Sequence, residues 1–279
     1  MASPQLSAIL VHVDGAPGAA KRIALAGALA DTFGARLVGC AAGQFVVPVY
    51  APFGEGFVAM QPEIVDAARD QVKHQIEAAH EAFRAAAGVR SEIEWRYSDT
   101  SEPVDFLAEQ ARAADLVVVG RLEKDEVPDA ALGLAPSDIV MTAGRPVLVV
   151  PPGVERLSGK RIVLAWKDTR EARRALTDSL PFLKLAEEVF VTGVGDENAP
   201  ADVPDVAAFL TRHGVPAKPL TEAIADGRPA AALLRVAQRV NADLLVAGAF
   251  GHSRMREWVF GGVTRDLLDT ATIPVLFSH

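Results

Sequence analysis

Ala114-Asp-Leu-Val-Val-Val-Gly120 returns as Ala242-Asp-Leu-Leu-Val-Ala-Gly248, and Arg145-Pro-Val-Leu-Val-Val150 returns as Ile273-Pro-Val-Leu-Phe277. Both pairs keep one offset, Asp115 to Asp243 and Pro146 to Pro274, so the 279-residue chain holds a single pattern twice. The opening strands match as well, Ala8-Ile-Leu-Val-His-Val13 against Arg161-Ile-Val-Leu-Ala-Trp166. Their offset is larger because the first copy carries a longer middle segment around Phe45 to Glu63. Copy one is assigned to residues 1–151 and copy two to residues 159–279. Pro151-Pro152-Gly153 opens a stiff, turn-prone linker between them.

Between these landmarks, short apolar runs alternate with segments of helical period, the pattern of parallel βαβ units rather than of hairpins. Residues 9–13, 37–41, 116–119 and 147–150 are continuous apolar runs, as strands covered on both faces require. A helical stripe over residues 23–33 stops at Gly34, and a longer one through Val65, Val72, Ile76 and Phe83 stops before Gly88. In copy two, Ala172, Ala175, Leu176 and Leu183 share one helix face, and Pro181 predicts an early end. Glu92 to Tyr97 alternates polar with apolar residues and is placed at a sheet edge. The expected fold is α/β, two tandem Rossmann-like domains, each a five-stranded parallel sheet flanked by helices. The length allows each its own core.

Composition limits the function classes. The apolar share is 50%, the charged share 23% and the net charge −8. With no run of Lys or Arg to neutralise a row of phosphates, nucleic acid is not the expected partner. The lone Cys40 rules out an internal disulfide and a cysteine-caged metal. It fits a reducing compartment and is expected to pack inside a strand. Met1 to Ser7 lacks a basic segment followed by an apolar run, and Leu116 to Val119 is far too short to span a bilayer. A cytoplasmic protein without membrane contact is expected.

One segment carries chemistry. The strand at 244–247 runs into Gly248-Ala-Phe-Gly251-His-Ser-Arg-Met-Arg-Glu-Trp-Val-Phe-Gly261-Gly262-Val-Thr264, and a helical pattern through Leu267 and Leu268 follows. Glycines let backbone N–H groups turn toward an anion, the amino end of the helix adds free N–H groups and a positive dipole end, and Thr264 adds a hydroxyl. In parallel sheets ligands bind beyond the carboxyl ends of the strands, which is where this segment begins.

The segment resembles the Gly-x-x-Gly, nine residues, Gly-Ser/Thr nucleotide loop of the universal stress protein family, with Gly248, Gly251 and Gly261 at its spacing. The opening strand with Asp14, the Ala-Asp-Leu-Val-Val-Val-Gly strand and the Arg-Pro-Val-Leu-Val-Val-Pro strand look like further landmarks, so the chain resembles a tandem member. The resemblance implies strand order 3-2-1-4-5, pairing through the last strands (an intramolecular pseudo-dimer, with a further homodimer left open) and a stress-response role. In one branch it implies ATP, with magnesium, held without rapid turnover. Carried over, Gly248, Gly251, Gly261, Gly262, Val263 and Thr264 would surround the phosphates. Ala165, Trp166 and Lys167, together with Val194, would lie near the adenosine. His252 and Ser253 would line the loop. No catalytic residue is nominated.

The sequence departs from the pattern at Gly262, where nucleotide-binding members carry Ser or Thr, and at Lys167, which takes the position held by Asp14 in copy one. Copy one lacks the second loop glycine after Gly120, and Glu123, Asp125 and Glu126 would repel phosphate, so its loop is taken as degenerate. Asp14 is expected to serve as a cap or turn residue. No Gly-x-x-x-x-Gly-Lys-Ser/Thr, Gly-x-Gly-x-x-Gly or Gly-x-Ser-x-Gly occurs. His74 and His80 lack the three- or four-residue spacing that aligns two ligands on a helix. Two other readings remain open: a nucleotide-free interaction and dimerisation protein, and a slow ATP hydrolase.

Overall fold

The computed structural model describes residues 6–45, 62–121, 131–195, 202–224, 227–251 and 262–279. Strands form on the apolar runs: β1 Ala8–His12, β2 Arg36–Ala42, β3 Ile93–Ser98, β4 Leu116–Gly120, β5 Val147–Val150, β6 Arg161–Trp166, β7 Glu188–Gly195, β8 Ala217–Ala223, β9 Leu244–Gly248 and β10 Val275–Ser278. The helices are α1 Ala19–Phe33, α2 Pro62–Ala87, α3 Pro103–Gln110, α4 Pro136–Thr142, α5 Arg170–Asp178, α6 Leu180–Leu185, α7 Val203–Arg212, α8 Pro229–Arg239 and α9 Gly262–Thr270. Gly34 ends α1 in the left-handed conformation at φ 66°, its N–H returning to the Ala30 carbonyl. None of the described helices is long and apolar enough to cross a membrane.

The strands join in one ten-stranded sheet of order β3-β2-β1-β4-β5-β10-β9-β6-β7-β8. Each half winds the same way, and β3 lies at an edge. Neighbours are parallel throughout except at the centre, where β5 and β10 pair antiparallel with Leu148 opposite Leu276. The repeated motifs have matching work to do at matching places. Asp115 Oδ2 accepts from the Ser7 and Ala8 amides at 2.7 and 3.1 Å, tying the entrance of β1. Asp243 does the same for β6 through the Lys160 and Arg161 amides. The Pro146 and Pro274 carbonyls each accept one strand amide, from Val117 and Leu245 at 3.0 Å.

Alternation along the strands divides the core by face rather than by half. Ile9, Val11, Leu116, Val118, Ile162, Leu164, Leu244 and Val246 meet α1, α2, α5, α6 and α7 on one side. Leu10, Val117, Val119, Val163, Leu245 and Phe277 meet α3, α4, α8 and α9 on the other. The two cores are therefore each shared by both halves, because the antiparallel seam makes the sheet continuous. Phe33 of α1 meets Phe182 of α6 edge-on, with ring centroids 5.1 Å apart, across that boundary. Cys40 packs in β2, and burial pushes its thiol up to about 12.

Candidate functional site

A cavity of about 390 Å³ opens at the carboxyl ends of β6, β7 and β9, between α5, α8 and the start of α9. Strand order reverses there, because the chain leaves β6 toward β7 on one side while β9 pairs on the other. Ala165 and Trp166 at the end of β6, Lys167 just beyond it and Val194 on β7 line the cavity, as do Gly248, Gly251, Gly262, Val263 and Thr264. His252, Ser253 and Gly261 lie outside the described residues. The volume falls in the ordinary range for a small-molecule site, ~300–1,000 Å³.

The loop is shaped by close approaches. At Gly248 a Cβ would stand 2.6 Å from the Ala172 amide nitrogen and the Glu171 carbonyl carbon, so β9 meets the amino end of α5 backbone to backbone. Phe250 holds a positive φ of 54°, and its amide donates to Thr264 Oγ1 at 3.2 Å. The Thr264 hydroxyl therefore accepts from the loop at the cavity wall, which leaves its proton free to be donated. A Cβ at Gly262 would meet nothing within 4 Å, which leaves the first turn of α9 open toward the cavity. The last strand braces the turn: the Ala249 amide donates to the Ser278 carbonyl at 2.8 Å, and His279 Nδ1 lies 3.1 Å from the Ala249 carbonyl. Thr169 caps α5 by accepting from the Ala172 amide, and also lines the cavity. Glu171, buried beside Gly251, pairs with Arg170. Burial raises its pKa, but hydrogen bonds from Arg170 and its surroundings outweigh this and hold the carboxyl below its ordinary value.

The equivalent place in the first half is filled by side chain. Arg22 of α1, buried, donates from Nε to the His12 carbonyl at 3.0 Å and from Nη2 to Asp14 Oδ1 at 2.8 Å. Its Nη1 stands 2.1 Å from where a Cβ of Gly120 would be. His12 Nδ1 lies 3.5 Å from Asp14 Oδ2, and Nε2 lies 2.9 Å from the Leu132 carbonyl. Burial works to raise the Asp14 pKa, yet Arg22 and then His12 hold the carboxyl below its ordinary range. Asp14 also accepts from the Ala16 amide, so it is a turn residue and an ion-pair member together. In the second half the corresponding glycine, Gly248, meets backbone of Glu171 and Ala172 instead of an arginine side chain, and Ala172 lines the open cavity.

The family model described as "Universal stress protein family" matches residues 167–279. The chain carries a universal stress protein domain. The matched stretch runs from Lys167 through the glycine loop, α9 and β10. Over 179 residues the chain is 26% identical to universal stress protein Slr1230 of Synechocystis, covering 62% of this chain and 61% of that protein's length. Among solved structures, a universal stress protein from Archaeoglobus fulgidus superposes over 97% of both chains with a TM-score of 0.70 at 14% identity, so the fold is shared along the length. A universal stress protein crystallised with cAMP matches 52% of this chain and 97% of its own, at 22% identity and a TM-score of 0.35.

The described residues of the expected site, Ala165 and Trp166 ahead of the matched stretch and the others within it, all line this cavity. Thr169, Ala172, Thr192, Ile224, Pro229, Leu233, Ala247 and Phe250 line it too and were not nominated. Their signal is positional: Thr169 is the helix cap after β6, and Ala247 and Phe250 flank Gly248. Pro229 and Leu233 come from α8, distant in sequence from every motif.

Proposed function

We propose that the second-half cavity binds ATP or a related adenine nucleotide and that the protein acts as a ligand-responsive regulator in a stress response rather than as a fast enzyme. The observation that carries this reading is convergence. Residues nominated separately after β6, on β7, around Gly248 and at the start of α9 line one cavity of about 390 Å³. Apolar walls from Trp166, Val194, Ile224 and Leu233 suit a base and ribose. The exposed amides of the first turn of α9 and the Thr264 hydroxyl suit phosphate. Among the described residues no cluster of His, Cys, Asp or Glu offers a metal site, so magnesium would come on the nucleotide's own phosphates. Asp168, Glu171 and Asp202, the carboxylates around the β6 end, are engaged by Arg173, Arg170 and the Trp166 indole N–H. This favours holding a nucleotide over hydrolysing it. The first half, closed by Arg22, supports a scaffold role for residues 1–151.

Mass spectrometry of nucleotide released from the purified protein, followed by calorimetric titration with ATP, tests the reading. Bound adenine nucleotide, or heat saturating at micromolar to millimolar ATP, is the expected result. No release and no heat would leave the nucleotide-free interaction protein as the better account. Gly262 supplies the site-directed control, because its Cβ position is open. Gly262→Ala should bind as the wild type does. Gly262→Asp, which sets a carboxylate at the amino end of α9, should weaken ATP by at least about tenfold without unfolding the chain.

A further inference from the structure

We infer that Lys167 is the specificity-determining cation of this cavity and that it selects ligands carrying a chain of phosphates over nucleosides and cyclic monophosphates. The inference rests on the nucleotide reading of the site and names the ligand class within it. Lys167 follows β6 and lines the cavity. Its neighbouring carboxylates are taken: Asp168 pairs with Arg173, Glu171 with Arg170, and Asp202 accepts from the Trp166 indole N–H. Lys21, Lys73, Lys160 and Lys218 each have a carboxylate partner. The Lys167 ammonium has none among the described residues. It is thus an uncompensated cation at a cavity whose other walls are apolar side chains, threonine hydroxyls and glycine backbone.

Position gives that charge a target. β6 and β9 are adjacent, with Ile162 opposite Leu244 and Leu164 opposite Val246. Lys167 therefore stands one strand, ~5 Å, from the glycine turn, within reach of a flexible four-carbon stem. An anion at the start of α9 would face backbone N–H groups on one side and the ammonium on the other. The first half shows the opposite arrangement at the same place: Asp14 is paired with Arg22 and the space is filled. Lys167 in place of the carboxylate reverses the charge, and here the space beside it is an open cavity walled by Ala172 of α5. A carboxylate there accepts from ribose hydroxyls, whereas an ammonium can only donate. The attraction then grows with the number of phosphate charges, which adenosine lacks and a cyclic monophosphate supplies only once.

The test is calorimetry at low ionic strength with adenosine, cAMP, AMP, ADP, ATP and inorganic tripolyphosphate, on wild type, Lys167→Met and Lys167→Arg, with a thermal melt to verify folding. Affinity should rise from AMP to ATP in the wild type. Lys167→Met should weaken ATP and tripolyphosphate by about tenfold or more while leaving adenosine unchanged, and Lys167→Arg should restore most of the loss. Equal binding of ATP by wild type and Lys167→Met, or an equal loss for adenosine and ATP, overturns the inference. The two readings fail separately. Tripolyphosphate bound through Lys167 with ATP no tighter sinks the adenine site and keeps the clamp. Adenine ligands bound alike whatever their phosphate number keep the site and sink the clamp. No binding of ATP or tripolyphosphate sinks both.

Discussion

Arg22 separates the two halves at the level of a single side chain. It is buried, paired with Asp14 and hydrogen-bonded to the His12 carbonyl, so its removal strands a buried carboxylate. Arg22→Ala should lower stability by ~3–5 kcal/mol, read as a shift in the urea midpoint at unchanged slope. Asp14 gives the same cluster a pH signature. Its folded-state pKa lies below the ordinary 3.8, so its contribution is present above that value and is lost as the pH falls through the depressed one. The stability difference between wild type and Asp14→Asn should therefore be full at neutral pH and shrink in strong acid; a difference independent of pH would refute the pairing. In the sequence Arg22 is one polar residue in a helical pattern, and nothing local marks it as buried. Its role is visible only in the fold, which sets it against Gly120 and Asp14. Much of the lining of the second-half cavity was legible because glycine spacing and strand ends are local features. The α8 wall was not, since Pro229 and Leu233 reach the cavity by tertiary packing alone.

At the scale of elements, local rules set most boundaries. Gly34 stops α1 because the left-handed cap costs a glycine least, and the alternation of Glu92 to Tyr97 leads to the edge strand β3. Pro181 marks an interruption that the structure resolves more finely. α5 ends at Asp178, and α6 starts at Leu180 with the proline in its first turn, where a missing N–H is harmless. A proline taken only as a stop cannot reveal the short helix that follows. The meeting of β9 with α5 is the element contact on which the site depends. Gly248→Ala would drive a Cβ to 2.6 Å from backbone atoms of Glu171 and Ala172, and backbone cannot rotate away as a side chain tip can. The expected cost is about 1–3 kcal/mol, together with weaker ATP binding, since β9 and α5 both border the cavity. Thr169→Ala should cost about 1 kcal/mol through the lost α5 cap. Thermal melts and ATP titrations of the two variants separate the effects: a Gly248→Ala protein with unchanged melting would mean that β9 and α5 are not in close contact.

For the molecule as a whole, the question is whether a repeated sequence makes two folding units or one. The antiparallel register of β5 with β10 carries each face of the sheet across the boundary, so both apolar cores contain residues from both halves. Phe277 sits in that seam, opposite Val147 and 1% exposed. Phe277→Ala should cost about 3–5 kcal/mol through the cavity it leaves. If the shared cores couple the halves, that loss falls on both. Trp95 in β3 and Trp166 in β6 report from the two sides, and each can be kept as the single tryptophan by changing the others, including Trp258, to Phe. Urea unfolding followed at either reporter should then give one coincident transition, and Phe277→Ala should shift both midpoints together. A shift confined to the Trp166 reporter would mean that residues 159–279 unfold on their own. The first half would then be an attached domain rather than half of a common core, and the Arg22 cluster would act on its own half alone.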